Sequence, residues 1–538
     1  MTRLTINAAT ERWTLAAPVA RSARGAVAAQ HVKAAEAGAA MLDAGGNAVD
    51  AITATAYALG AVEPWMSGPG GSGFMVIWLA AEQRAVALDF QGVLPRGLRL
   101  QDYPVDPGLP PTPMGFPAVA GNANTEGYRS ITVPGAVAGL NHALARFGTL
   151  DLPQVMDPAI RLAERGIWAD WFTTLQIALC APVLAGDPVS AATYLPGGHP
   201  HRPERVLRIP NLAGTLREIA QGGSDSFYRG ALAGRIVADL QAGGSRISHE
   251  DLAGYAVREF APMQAGHRGH VLHTCGEMSG GLRLRDFLAM TGSEMPAPPR
   301  APAPETWLAY ARALDACWKA HKIRNGAVTE TGACTSSMAA VDAAGNMVAL
   351  TSTLLNRFGS GVTLPGTGLL MNDAVSYFDP RPGRPTTMAG GKRINSSNMC
   401  PTVAVRDGQA VFALGASGGN LIMPAVAQVA ALMTDFGMSL EAAVHHPRID
   451  ASFRGSVRAD PRLGEAVLAA LEGLHGDLEV AGSAVYPKLY ACVSGVARDP
   501  ATGICSAVVD PSQPVGGGAA PGPFDPGPEP PAGTVVRA

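Results

Sequence analysis

Thr335 is the residue of this sequence with the clearest capacity for chemistry. It follows Cys334 and begins an apolar, strand-like run. A threonine at the start of a chain is a complete minimal catalyst, because its hydroxyl attacks a carbonyl carbon while its own α-amine takes the proton. This chemistry requires cleavage of the bond between Cys334 and Thr335, and we predict that the chain cuts itself there. A threonine that merely begins a strand is the alternative.

Two further groups have the types and positions to serve such a nucleophile. Thr353 lies in the strand-like run that pairs with that of Thr335, so its hydroxyl can reach the nucleophile. Gly418 and Gly419 follow the strand-like run Ala410–Leu414 and precede a predicted helix. Backbone N–H groups at a helix N-terminus point outward and favour negative charge, as an oxyanion hole requires. A packing turn is the alternative at both glycines.

Two hairpins are predicted to position these groups. The first pairs the run from Thr335 with Met347–Leu354 through a Gly-Asn turn, and the second pairs Thr402–Val405 with Ala410–Leu414 through an Asp-Gly turn. Strand-like runs joined by such short turns are the sequence signature of a hairpin. Alanine-rich residues with helical spacing over 25–62 predict closely packed helices beside them.

Composition excludes several classes of protein. The 538 residues are 47% apolar and 16% charged with a net charge of −3, which is typical of a globular chain with a large core. No basic stripe indicates a nucleic-acid partner, and no apolar run of membrane-spanning length is present. Charges interrupt the N-terminal segment, so we predict no secretory signal. The Pro/Gly-rich residues 512–538 are predicted to be a disordered tail.

Cysteine and histidine usage predicts neither disulfides nor metal. The seven cysteines are odd in number and scattered, without a Cys-x-x-Cys pair, which favours reduced thiols in a cytoplasmic protein. The twelve histidines lack the spacing of metal ligands. We therefore predict no metal and no cofactor, and a cytoplasmic location.

Eight motifs together resemble the γ-glutamyltranspeptidase family of N-terminal nucleophile hydrolases. They extend over about residues 25–520 and are Leu42–Ala51, Gly68–Gly73, Val133–Gly139, Asp251–Tyr255, Phe358–Gly361, Pro365–Asn372, Gly391–Arg393 and Gly415–Gly419. The resemblance implies an α+β fold, a four-layer αββα sandwich with two stacked antiparallel sheets between helices. It also implies a precursor cleaved between Cys334 and Thr335. The resulting large chain (1–334) and small chain (335–538) would stay associated, and we consider a dimer of such heterodimers as their assembly.

The resemblance also assigns roles to residues of the site. Thr335 corresponds to the family's nucleophile and Thr353 to the threonine that hydrogen-bonds it. Gly418 and Gly419 correspond to the oxyanion hole. Ser397 corresponds to the first residue of a serine pair near the substrate carboxylate.

The γ-glutamyl-binding residues depart from the family pattern. Gln91 stands in place of the arginine that clamps the α-carboxylate, and Leu355 stands in place of an asparagine, although Asn356 is adjacent. Ala374 and Tyr377 stand in place of the glutamine and aspartate that hold the α-amino group. Asn398 replaces the second serine. Losing both charge-assisted contacts, each worth about 1.5–3 kcal/mol, removes the groups that select glutamate. These positions nevertheless remain the expected substrate-binding residues.

The sequence is therefore consistent with three functions. The first is an autoprocessed threonine amidohydrolase or acyltransferase that acts on a small amide other than a γ-glutamyl compound. The second is a γ-glutamyltransferase or glutathione hydrolase that uses other anchors, such as Arg96, Arg357 or Arg393. The third is an unprocessed, non-catalytic scaffold.

Overall fold

A computed structural model describes residues 2–5, 13–112, 114–325, 334–452, 455–475 and 477–527. The strands, numbered in chain order, are β1 Thr2–Thr5, β2 Ala20–Ser22, β3 Gly25–Ala29, β4 Ser72–Leu79, β5 Arg84–Phe90, β6 Ile167–Trp168, β7 Val206–Leu207, β8 Arg258–Phe260, β9 Met263–His267, β10 His270–Thr274, β11 Cys334–Asp342, β12 Met347–Leu355, β13 Thr402–Arg406, β14 Gln409–Ser417, β15 Ile449–Asp450, β16 Val457–Ala459, β17 Asp477–Val480, β18 Cys492–Arg498, β19 Cys505–Val509 and β20 Gly517–Ala519.

The α-helices are α1 Val32–Asp43, α2 Ala48–Val62, α3 Ala136–Phe147, α4 Leu152–Arg165, α5 Trp171–Leu179, α6 Ala181–Leu184, α7 Pro188–Tyr194, α8 Leu212–Tyr228, α9 Ala231–Ala242, α10 His249–Ala253, α11 Gly281–Glu294, α12 Pro304–Asn325, α13 Ile422–Phe436, α14 Leu440–His445 and α15 Glu465–His475. Among the described residues, no helix is both long and apolar enough to cross a membrane.

Two seven-stranded antiparallel sheets form the centre of the molecule. One sheet, which we call the nucleophile sheet because it carries Thr335, the predicted nucleophile, has the order β20-β3-β11-β12-β4-β5-β8. The other, which we call the oxyanion sheet because its strand β14 leads into the predicted oxyanion glycines, has the order β2-β19-β18-β14-β13-β10-β9. Both predicted hairpins are confirmed, as β11–β12 in the first sheet and β13–β14 in the second. Each sheet contains strands from before and from after Thr335. The two predicted chains would therefore share one core.

The alternation of side chains on β4 shows how the layers are built. Phe74, Val76 and Trp78 pack between the two sheets, whereas Met75 and Ile77 pack against the outer helices. Helices α1–α10 cover the nucleophile sheet, and helices α11–α15 cover the oxyanion sheet. Strands that are buried on both faces have continuous apolar sequences, which explains why β4 lacks alternating polar residues. The predicted four-layer αββα sandwich is confirmed.

The prediction of a disordered tail from residue 512 is wrong for residues 512–527. Gly517–Ala519 forms an edge strand that pairs with β3, and Ser512 and Gln513 are buried. A Cβ atom on Gly518 would lie 2.4 Å from the backbone oxygen of Ala507, so glycine lets this edge strand lie close to its neighbours. The glycines of this segment therefore reflect close packing of an edge strand and not disorder. The rest of the predicted tail lies outside the described residues.

Candidate active site

Thr335 lies near the start of β11, at one end of the nucleophile sheet. Its side chain is 3% exposed, and its Oγ1 donates to Thr353 Oγ1 at 3.4 Å. The pairing of β11 with β12 shifts register between Cys334 and Ser336, so Thr335 lies opposite a β-bulge in β12. Bulges redirect side chains and are common beside active sites. The bond between Cys334 and Thr335 thus lies at an irregularity of an otherwise regular strand pair.

Thr353 is held in place by its own strand end. Its Oγ1 accepts a hydrogen bond from the backbone N–H of Leu355 at 2.8 Å, where Leu355 adopts a positive φ of 84°. The glycine-rich turn before β4 supports the same residue, because a Cβ atom on Gly71 would lie 2.5 Å from the Thr353 backbone oxygen. The predicted contact between the two threonines is confirmed, and the turn at Gly71 has the structural role of permitting close approach.

Gly418 and Gly419 lie where β14 ends, just before α13. Gly418 has a φ of 144°, and a Cβ atom there would lie 2.9 Å from both Cα and Cβ of Ala491. Gly419 has a φ of 57°. Both conformations favour glycine. The sequence therefore specifies this loop, which we call the oxyanion loop (residues 417–421), by backbone geometry.

The direction of the strands places the oxyanion loop near Thr335. The turn between β13 and β14, at Gly408, lines one cavity with Asn346 of the turn between β11 and β12. Farther along these strands, β14 lies against β11, since a Cβ atom on Gly415 would lie 2.3 Å from Ser337 Oγ. The opposite ends of these strands, which carry Thr335 and the oxyanion loop, therefore lie at the same end of the sandwich.

Three of the predicted substrate-binding residues are assembled around the end of β12. Leu355, Ala374 and Tyr377 belong to one buried cluster with Phe378 and Ile394. Burial raises the pKa of the Tyr377 hydroxyl, which also hydrogen-bonds with the Ser397 side chain. Leu355, Ala374 and Tyr377, which differ from the family pattern, therefore lie together, and Tyr377 contacts Ser397, which agrees with that pattern.

Gln91 faces the space between the sheets, on the same side as the nucleophile. Ser72 pairs with Thr353, and Phe90 pairs with Gly73, so Gln91 continues the row that contains Ser72, Thr353 and Thr335. Gln91 is completely buried. Within the described part of the chain, both polar atoms of its carboxamide and the hydroxyl of Ser72 have no hydrogen-bond partner. Within this row, Gln91 and Ser72 are therefore buried polar groups without partners that lie beside the paired hydroxyls of Thr335 and Thr353.

Asn356 and Asn398 are already engaged by the protein. Asn356 donates to Asp373 from its backbone nitrogen at 3.0 Å and from Nδ2 at 2.6 Å. The Oδ1 atom of Asn398 accepts from Arg283 at 2.8 Å, and its Nδ2 donates to Asn420 Oδ1. Both carboxamides are therefore hydrogen-bonded within the protein, and their predicted contact with substrate stays a prediction.

Comparison with known proteins identifies the family. The family profile described as Gamma-glutamyltranspeptidase matches residues 34–295 and 310–520. The chain belongs to the γ-glutamyltranspeptidase family. The chain is similar to acylase ACY 1 proenzyme of Pseudomonas sp. (strain SE83). The two are 34% identical over 490 residues, which cover 84% of this chain and 87% of the relative. Its similarity to glutathione hydrolase proenzyme of Pseudomonas sp. (strain A14) is 31% identity, covering 80% and 82%.

The fold agrees with this membership of the γ-glutamyltranspeptidase family. The structure of cephalosporin acylase from Bacillus halodurans superposes with a TM-score of 0.82 at 26% identity, covering 96% of this chain and 99% of that one. The chain is therefore an enzyme of the N-terminal nucleophile hydrolase type, and the scaffold alternative is not supported.

The sequence analysis did not identify three buried ionisable residues of this family member. Glu63, at the end of α2, accepts from Gln513 Nε2 at 2.8 Å and contacts Ser336 Oγ at 3.5 Å, beside the nucleophile. Asp373 is held by Asn356, and burial raises its pKa to about 7. The third residue is Arg283. No local pattern marks any of them, because each acquires its role from partners distant in the sequence.

Burial of Glu63 predicts a pH-dependent stability. Burial raises the pKa of Glu63 from 4.5 to about 8 in the folded protein, against the opposing hydrogen bonds from Gln513 and Ser336. Between these values the unfolded chain releases this proton while the folded chain retains it, so the contribution of Glu63 to stability falls as pH rises. We expect Glu63→Gln to gain thermal stability relative to the wild type from pH 5 to pH 8.

The measurement is the unfolding midpoint of both proteins across that range. Glu82→Gln is the matched control, because Glu82 is an exposed carboxylate paired with Arg84. A constant difference between Glu63→Gln and the wild type at every pH would show that Glu63 does not titrate in this way.

Proposed function

We propose that this protein is an autoprocessed threonine amidohydrolase that cleaves an amide whose acyl group is not γ-glutamyl. The hydroxyl pair of Thr335 and Thr353 at 3.4 Å, at the same end of the sandwich as the oxyanion loop, is the observation that carries the proposal. Two relatives above 30% identity are named proenzymes, which supports a precursor that is processed into two chains.

The proposed reaction has two stages that use the same groups. In the first, Thr335 Oγ1 attacks the carbonyl carbon of Cys334, the bond from that carbon to the Thr335 nitrogen breaks, and the hydroxyl proton passes to this nitrogen, which becomes a free amine. Water then hydrolyses the ester and leaves a carboxylate on Cys334. In the second, Thr335 Oγ1 attacks the substrate carbonyl and its α-amine takes the proton, which passes to the leaving amine. Water releases the acyl group.

The N–H groups of the oxyanion loop would stabilise both tetrahedral intermediates. Negative charge develops on the carbonyl oxygen in each stage, and fixed backbone donors in a buried site stabilise it without reorganisation. The positive φ values of Gly418 and Gly419 turn the backbone at the point where α13 begins. One loop can therefore serve self-cleavage and turnover.

Carboxylates of the protein lie beside two of the arginines that could replace the missing glutamate clamp. Arg393 donates from Nη1 to Asp89 at 3.5 Å and to the Gln91 backbone oxygen at 3.1 Å. Arg96 lies 4.0 Å from Asp251, with its side chain 67% exposed. Arg393 and Arg96, two of the three arginines considered as alternative anchors, thus lie beside carboxylates of the protein. The similarity to acylase ACY 1 proenzyme points in the same direction, toward acylase activity.

The row formed by Gln91 and Ser72 indicates the character of the acyl group. A buried carboxamide without partners costs about 1–3 kcal/mol for each unpaired group unless a ligand satisfies it. Gln91 offers one donor group and one acceptor and carries no charge. Leu355, Ala374 and Tyr377 supply apolar surface nearby. We therefore propose an acyl chain that is largely apolar and ends in an uncharged hydrogen-bonding group.

A substrate panel tests this specificity. We expect the processed enzyme to hydrolyse a p-nitroanilide of a five-carbon acyl chain ending in a carboxamide faster than the pentanoyl and γ-glutamyl p-nitroanilides. Gln91→Leu should lower kcat/KM for the carboxamide substrate by about 10- to 100-fold, because its polar end then lacks partners, and should affect the pentanoyl substrate far less. Gln91→Arg should shift preference toward a chain ending in a carboxylate.

The same panel decides between the two enzymatic functions. The similarity to a glutathione hydrolase proenzyme is the observation that keeps γ-glutamyl transfer as the second candidate. Preferred turnover of the γ-glutamyl substrate, unchanged in Gln91→Leu, would overturn the proposed specificity and favour that candidate.

A further inference from the structure

Arg283 is a buried cation with an unusual environment. It lies in the first turn of α11, is 2% exposed, and is paired with no carboxylate within the described residues. Its guanidinium lies over the ring of Trp318 at 4.3 Å, and Nη1 has no hydrogen-bond partner among these residues. Burial lowers its pKa to about 10. Burying a charge without an ion pair is costly, so such a residue calls for an explanation beyond packing.

The contacts of Arg283 lead toward the oxyanion loop. Nη2 donates to Asn398 Oδ1 at 2.8 Å and to the Ser397 backbone oxygen at 3.1 Å. Asn398 Nδ2 in turn donates to Asn420 Oδ1. Asn420 directly follows Gly419 in the oxyanion loop. A continuous series of hydrogen bonds therefore joins the guanidinium to the residue next to the proposed oxyanion donors.

The other side of the oxyanion loop is supported separately. Ala491 closes the space beside Gly418, and its backbone oxygen accepts from Arg448 Nη2 at 3.2 Å. Arg448 also forms a buried ion pair with Asp510. This support comes from residues that follow Thr335 in the chain. The support through Arg283 is different, because Arg283 precedes the proposed cleavage point and the residues that accept its guanidinium hydrogen bonds follow it.

We propose that Arg283 is a positioning residue which, through Asn398 and Asn420, fixes the oxyanion loop for both self-cleavage and turnover. The inference rests on the proposed function, since it assigns the support of that reaction's oxyanion hole. After cleavage, the hydrogen bonds of Arg283 to Ser397 and Asn398 would link the large chain to the small one. The large chain would therefore contribute to the chemistry of a site whose nucleophile and oxyanion donors belong to the small chain.

Arg283→Met tests the proposal against Arg285→Met. Methionine keeps much of the apolar volume over Trp318 but cannot donate to Asn398. Arg285 lies on the same helix, is exposed, and pairs with its neighbour Asp286, so its replacement controls for loss of a cation. We expect Arg283→Met to lower kcat by about 10- to 100-fold, less than outright loss of an oxyanion donor, with KM little changed. Self-cleavage should slow in parallel, and Arg285→Met should behave as the wild type.

Three further variants separate positioning from general stability. Asn398→Ala breaks the same series while leaving Arg283 over Trp318 and bonded to Ser397, and we expect the same loss of kcat. The double variant should lose little more than either single one, since all three remove one connection. Arg283→Lys should recover part of kcat.

Several results would overturn the proposal. A rise of KM at constant kcat would make Arg283 a substrate-binding residue. A loss of activity that follows the unfolding midpoint and is equal in Arg285→Met would make it merely structural. If Arg283→Met fails to fold, Asn398→Ala with normal kcat and normal self-cleavage has the same consequence. The proposed function is judged separately, by acylation of Thr335 in the wild type.

Discussion

Thr335→Ala is expected to remain a single chain of 538 residues and to hydrolyse no amide, whereas the wild type separates into residues 1–334 and 335–538 on a denaturing gel. The variant lacks the hydroxyl that attacks Cys334 and, later, the substrate, so both events fail together. The pair that Thr335 makes with Thr353 is lost, but the small buried methyl group should preserve the strand.

Thr351→Ala is the matched control for this change. Thr351 is also a buried threonine of the nucleophile sheet that faces the oxyanion sheet, near Gly415, and its hydroxyl has no partner among the described residues. Its replacement should leave cleavage and turnover intact. Normal cleavage of Thr335→Ala between residues 334 and 335 would contradict the assignment of Thr335 and would require another nucleophile for processing.

Gly418→Ala has the second largest expected effect. The added Cβ would lie 2.9 Å from Cα and Cβ of Ala491, at a φ of 144° that side chains rarely adopt, so the oxyanion loop must shift. Displacing one oxyanion donor should lower kcat by about 10²- to 10³-fold, equivalent to about 2.7–4 kcal/mol of transition-state stabilisation. KM should change little, because the ground-state carbonyl depends less on these donors. Steady-state kinetics on processed enzyme, together with the rate of self-cleavage, measure both effects.

Gly437→Ala provides the matched control for backbone strain. Gly437 also has a positive φ, of 63°, but it ends α13 far along the helix and its Cβ would meet open space. It should lower the unfolding midpoint slightly and leave kcat unchanged. Equal kcat values for Gly418→Ala and the wild type would remove the oxyanion loop from the account of catalysis.

The sequence predicts those parts of the site that depend on local chemistry. The alternation of β11 and β12, together with a short turn, places Thr335 and Thr353 on the same face. The turn is fixed locally, since Asp342 accepts from the Asn346 backbone at 2.9 Å and from its side chain at 2.8 Å. Gly418 likewise follows from local backbone conformation, since its φ of 144° favours glycine. These features follow from residues within one hairpin or one loop.

Features that depend on distant partners could not be predicted in this way. Arg283 meets Asn398 across 115 positions of sequence, and Glu63 meets Gln513 across 450. Asn356 has the type and position of a substrate ligand, yet the structure pairs it with Asp373. The edge strand at Gly517–Ala519 carries no periodicity, because a strand of small residues is defined by the surface it covers. Each of these outcomes was decided by tertiary contacts.

The most direct test of self-cleavage and acylation at Thr335 is the intact mass of the purified wild type, before and after brief reaction with an acyl p-nitrophenyl ester. We expect two chains before reaction, the smaller beginning at Thr335, and afterwards an added acyl group on the small chain alone, located on its N-terminal residue and absent in Thr335→Ala. A turning-over enzyme that remains one chain, or an acyl group on any other residue, would contradict this mechanism.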